Sequence, residues 1–345
     1  MRALINITIF FLCAGMIGAQ ALPQNPQLQI KGYAAADYAK SEEEGLVPDG
    51  SFGNPLFGLV FSGQLSQNVR FMAEASYYTD KTLDLNQAWV GVDMSQHFSL
   101  RLGLYLVPFG WYNERNLPHE QLYINFPLNI DFFVPLTWRD IGVAASGNAL
   151  GLDYSAWFGN GLMESEGPDG GQQFKDNNAN KGWGGRLLWA PDPSIGFGYS
   201  YYRGKYDDLN SRYRTMQAAN AYWITDDFEW VFEYTYNTSE NIPGYASGKG
   251  FGYYVHLAMV WKNIRPYASY QKLDYDDPLH GPGFEGPESP GDGISVKKTR
   301  WAVGAVFSLG PSVFLKFEYD FNRESEIQLK NDMYMVQIAL SFQNE

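Results

Sequence analysis

Beyond residue 28 the chain alternates between apolar and polar side chains at every second position, and the joints between these stretches are short and long in turn. Tight joints fall at Ser66-Gln67-Asn68, Gly147-Asn148, Pro191-Asp192-Pro193, Lys262-Asn263 and Gly310-Pro311, with much longer polar insertions between them. A period of two puts one residue set on each face of a strand. Trim turns at one end and long loops at the other are the rhythm of a closed antiparallel barrel that crosses a bilayer.

The alternation is cleanest in the second half. Phe228, Trp230, Phe232, Tyr234 and Tyr236 occupy one parity, and Glu229, Glu233, Thr235 and Asn237 lie on the other. Val313, Leu315, Phe317, Tyr319 and Phe321 oppose Lys316, Glu318, Asp320 and Asn322 in the same way. Sixteen such stretches run from 28–38 to 327–342, an even number as closure requires. The expected fold is therefore all-β: one closed antiparallel transmembrane barrel of about 16 strands.

The first residues read as an export leader. Met1-Arg2, an apolar run to Ile17 and Ala19-Gln20-Ala21 predict a signal peptide over 1–21, followed by a barrel domain over 22–345. The single cysteine, Cys13, lies inside that leader, so the exported chain is expected to have no disulfide and no thiolate metal ligand. After it, no apolar run reaches the length of a spanning helix. Aromatics make up 17% of the chain, an excess that a barrel absorbs by turning rings toward lipid and its interfaces. A net charge of −13 disfavours nucleic acid as a partner.

With the N-terminus on the periplasmic side, the long insertions 39–54, 108–138, 160–181, 204–211, 239–249 and 275–295 face outward. Most are acidic and read as solvated surface. At Asp274-Tyr275-Asp276-Asp277 bridging by a divalent cation is the alternative, but no resident metal or cofactor is expected. The third outer loop, 108–138, differs in being rich in aromatics and proline. Folding it inward and packing it on the wall would bury Trp111, Tyr112, Leu117, Tyr123, Phe126, Phe132 and Phe133 and narrow the channel. Its charged members Glu114, Arg115, His119, Glu120 and Asp131 would then face a ring of charged wall residues of both signs, and such rings set ion preference; the first four are grouped with Lys31, Arg70, Arg101, Arg139, Arg186 and Lys316. These ten residues are the candidate constriction.

Leu100-Arg101-Leu102-Gly103-Leu104-Tyr105-Leu106-Val107-Pro108-Phe109-Gly110 resembles the strand that leads into the third loop of the phosphate- and pyrophosphate-selective porins. Trp138-Arg139-Asp140-Ile141-Gly142-Val143 is similar to the segment that resumes the barrel after it. The resemblance runs from about residue 85 to the end. It implies a 16-stranded bacterial outer-membrane barrel, a homotrimer and passive diffusion of small solutes. Phosphate is among the solutes implied, although loop 108–138 holds one arginine, Arg115, and no lysine where anion-selective members carry a basic run.

The leading expectation is an outer-membrane porin, not an enzyme, whose partners are lipid and small solutes or ions. A plugged barrel with a structural or adhesive role is the alternative. An outer-membrane hydrolase is a further one, and it would need a Ser or Asp beside His256, the one histidine expected in a strand.

Overall fold

The computed structural model describes residues 28–78, 82–165, 167–241, 243, 247–275, 297–325 and 328–344. The expected leader lies outside them. So do His280 and most of the 275–295 loop, including Asp276 and Asp277.

Sixteen strands follow one another. The first eight are β1 (Leu28–Ser41), β2 (Ser51–Ser66), β3 (Val69–Tyr78), β4 (Leu83–Ser95), β5 (Phe98–Leu106), β6 (Arg139–Ala149), β7 (Leu152–Gly159) and β8 (Gly182–Asp192). Then come β9 (Ile195–Lys205), β10 (Tyr213–Ile224), β11 (Phe228–Ser239), β12 (Gly248–Met259), β13 (Ile264–Tyr275), β14 (Lys297–Gly310), β15 (Val313–Glu324) and β16 (Met333–Gln343). Each pairs antiparallel with its sequence neighbours, and β1 pairs with β16 from Lys31↔Gln343 to Ser41↔Met333, which closes the barrel. Closure leaves no sheet edge with unpaired backbone groups.

Burial separates the two faces. Along β11 the side chains Glu229, Val231, Glu233, Thr235, Asn237 and Ser239 are buried, while the aromatic parity is partly exposed. Along β15 Lys316, Glu318 and Asp320 are buried, and Phe317 and Phe321 are exposed. A barrel has one interior, so the buried polar parity faces it. Trp183, Trp189, Trp223 and Trp301 belong to the exposed outer face.

Two expected joints are displaced. Gly147-Asn148 lies inside β6, and the turn falls at Leu150-Gly151, where both residues take positive φ (55° and 77°) as a two-residue hairpin turn with right-handed strand twist demands. The last strand starts at Met333 and not at 327. The intervening polar residues turn to the loop after β1: Glu44 N–H donates to the Lys330 carbonyl at 2.9 Å and Glu42 N–H to that of Asp332 at 2.9 Å.

Candidate functional site

Between β5 and β6 the chain makes its longest described connection, residues 107–138, with a 3-10 turn at Asn113–Arg115 and one short α-helix, α1 (Leu128–Phe133). Its two ends are tied together. The Val107 N–H donates to the Trp138 carbonyl at 2.8 Å. The Asn113 side chain donates to the carbonyls of Val107 and Trp138, both at 2.8 Å, and accepts the Trp138 N–H at 2.7 Å. Phe109 and Tyr202 pack on the fully buried Trp138 ring at 5.3 and 4.9 Å between centroids.

Unlike a strand, a loop of this kind leaves most of its backbone polar groups unpaired, and buried ones must find partners. Here the partners are side chains on the interior faces of β8 to β15. Ser200 accepts the Gly110 N–H at 3.0 Å and Glu233 accepts that of Trp111 at 2.9 Å. Glu318 takes the N–H groups of Ile124 and Asn125, both at 3.0 Å, and Gln271 takes that of Leu128 at 3.0 Å. The carbonyls are held by cations: Lys316 donates to Pro118 at 2.5 Å and Tyr123 at 3.3 Å, Arg300 to Phe126 at 3.0 Å, and Arg214 to Phe133 at 2.9 Å. α1 lies on β12 where Gly250 and Gly252 leave room: a Cβ at these positions would meet Phe133 at 2.5 Å and Asn129 at 2.7 Å. Tyr112, Tyr123 and Phe133 are buried, whereas Trp111, Leu117, Phe126 and Phe132 are partly so.

The ten candidate residues divide into groups. Arg186 pairs with Glu114 at 2.6 Å, and Arg101, stacked 5.1 Å over the Trp89 ring, sits among Glu114, Arg70 and Arg186. Arg70 also pairs with Asp93 at 3.0 Å. Arg115 lies 3.6 Å over the Trp111 ring and donates to the Trp111 carbonyl at 3.0 Å. Glu120 is exposed, with Arg115, Glu74 and Lys31 as its charged neighbours. The protein atoms crowding its carboxyl push it above the ordinary glutamate range, against the pull of Arg115 and Lys31. Burial lowers the His119 imidazole, and the Lys316 charge adds to this, so His119 is neutral at pH 7 and its 3.9 Å approach to Glu120 is no ion pair there.

Two candidates stand apart. Arg139 pairs with Asp84 at 3.3 Å and donates to Asn86 Oδ1 at 2.7 Å, toward the long-loop end. Lys316 has no exposed surface and spends its charge on loop carbonyls. The interior acids Glu233 and Glu318, like Lys316, oppose the loop by holding it. Alternation alone marks such residues as interior and says nothing about what they hold. Asn113, Ser200 and Gln271 carried no sequence signal as anchors; Gly248-x-Gly250-x-Gly252 on one strand parity was the legible trace of the helix seat.

Both ring nitrogens of His256 are taken, Nδ1 by Tyr123 Oη at 2.8 Å and Nε2 by Glu229 at 2.9 Å. Ser269, opposite it in register, therefore finds neither nitrogen free. The Ser or Asp partner that the hydrolase alternative requires is replaced by a tyrosine and a glutamate. No group of three or more metal-ligating side chains occurs among the described residues.

The architecture has solved counterparts. OmpF of Salmonella typhi in complex with daunomycin superposes with a TM-score of 0.66 at 15% identity, over 93% of this chain and 100% of that one. The fold is a porin fold. An anion-selective porin from Comamonas acidovorans gives 0.65 at 11% identity over 93% and 100% of the two chains. OmpT, an outer membrane protein of Vibrio cholerae solved in a trimer form, gives 0.64 at 9% over 92% and 100%. No protein-family model and no curated protein matches the sequence.

Proposed function

We propose that this protein is an outer-membrane porin, exported by its leader, that lets small hydrophilic solutes and ions diffuse through a barrel narrowed by loop 107–138. The observation that carries this reading is the one-sided attachment of the loop. Its anchors lie on β8 to β15, and a cavity of about 350 Å³ remains between it and β1–β4, β6 and β16. An interior lined with charges fits a wet lumen, because Arg or Lys turned to lipid at mid-depth costs about 2–4 kcal/mol. The exposed aromatic parity would then meet lipid, and three copies would assemble as in the trimeric porin fold.

Anion passage, including phosphate, is the finer reading. It rests on the Val107-Pro108-Phe109 and Arg139-Asp140-Ile141-Gly142 segments and on Arg70, Arg101, Arg115 and Arg186 gathered near the loop. Against it stand Glu114, Glu120 and Asp93 in the same neighbourhood.

Planar-bilayer recording tests the channel: purified protein should give discrete conductance steps, and a folded protein that stays silent would sink the proposal. Silence is also what the second reading, a plugged barrel, requires. The density of loop anchors favours that reading, and the open cavity opposes it.

A further inference from the structure

The cavity beside the loop is lined by neutral hydrogen-bonding and apolar side chains more than by charged ones. Five primary amides line it, Asn54, Asn86, Asn116, Gln121 and Gln337, together with the rings of Tyr33, Tyr78 and Phe126. Each of its charged lining residues already has at least one partner. Glu74 accepts from Tyr33 Oη at 2.9 Å and Gln87 at 2.7 Å, Asp37 accepts from Asn54 at 3.1 Å, and Asp84 pairs with Arg139. Three carboxylates against one arginine make the lining hostile to an anion.

Three buried polar atoms of the lining residues have no partner: the Gln121 amide nitrogen and Arg139 Nε, both donors, and the Gln337 amide oxygen, an acceptor. Gln337 is 8% exposed. Gln121 cannot turn its amide over at no cost, because its oxygen already accepts the Tyr112 hydroxyl at 2.5 Å. An unpaired donor and an unpaired acceptor in one cavity are complementary to a group that both accepts and donates, and an uncharged group of that kind is a hydroxyl. Aromatic faces cover the apolar side of such a solute. The volume falls at the low end of the roughly 300–1,000 Å³ that small-molecule sites occupy.

We propose that this crescent is a weak binding site for an uncharged polyhydroxylated solute, a sugar or polyol, which accepts from Gln121 and donates to Gln337. The proposal rests on the channel reading above and names what that channel holds in passing. Binding of this kind is favourable enough to slow a solute and weak enough to release it.

The test is bilayer recording of the full-length protein with maltose or inorganic phosphate added to the bath. The expected result is a concentration-dependent fall in current and added noise with maltose, and none with phosphate at matched ionic strength. Gln337→Ala and Gln121→Ala should each weaken the maltose half-block about two- to tenfold, and Gln337→Ala, on the wall, should leave conductance in plain salt unchanged. The second substitution lies in the loop, so the wall is intact if the first fails to fold. Conductance unaffected by maltose beyond its viscosity, block by phosphate alone, or half-block unaltered in both variants would overturn the site. Absence of any conductance would instead overturn the channel.

Discussion

Gly110 and Glu233 are packed so closely that a Cβ on the glycine would overlap the carboxylate, which accepts the next residue's N–H at 2.9 Å. Gly110 also sits at φ +67°, a conformation that costs a side-chain-bearing residue about 1–2 kcal/mol. Gly110→Ala should therefore lift the start of the loop off β11 and leave the barrel closed. Single-channel conductance is expected to rise; an unchanged value would mean that this contact does not set the aperture.

Glu318 holds two loop N–H groups at once, and its removal leaves both without an acceptor. A buried unsatisfied donor costs about 1–3 kcal/mol, enough to release the 124–125 segment from β15. Glu318→Ala is expected to raise open-channel noise and to make the loop cleavable by an added protease. Glu318→Gln keeps one acceptor oxygen and should fall between the variant and wild type. Equal noise in all three proteins would show that the loop is held elsewhere.

Asn113 joins the two ends of the loop through three hydrogen bonds. Its replacement by alanine strands the Trp138 N–H, while the two carbonyls keep the N–H groups of Val107 and Phe109, and Trp138→Ala removes a fully buried ring at a cost of about 3–5 kcal/mol. Both variants should unfold at lower temperature than wild type, Trp138→Ala lower still. The shift from folded to unfolded migration on heating in detergent gels measures it.

Arg115 is held by a ring face and a carbonyl, with no carboxylate bonded to it among the described residues. Arg115→Ala removes one positive charge from the loop, so the zero-current potential across a salt gradient should move toward cations. No movement would take the loop out of ion selection.

Glu120 supplies a pH test. Its carboxyl is raised by the protein packed around it, so on acidification it takes a proton at a higher pH than an ordinary glutamate. A negative charge is lost in that step, and the zero-current potential should move toward anions at a pH above the usual glutamate range. In Glu120→Gln that step should disappear, while any shift from other carboxylates at lower pH remains.

Sixteen strands, their closure and the face each side chain takes were legible before any coordinates, because a period of two is written residue by residue and the core follows from it. Phe228 to Ser239 and Val313 to Asn322 show this directly. Turn positions were less secure: Gly147-Asn148 looked like a hairpin turn by composition, but register with β5 and β7 carried the strand on to Ala149. Partners across the barrel were not legible at all. Glu318 lies 194 residues from Ile124 and Lys316 lies 198 from Pro118, and nothing local in either stretch foretells the other. Local alternation determined which residues face inward; only closure of the barrel, which brings β15 and the loop after β5 within hydrogen-bond reach, decided which of them hold the loop and which are left to meet a solute.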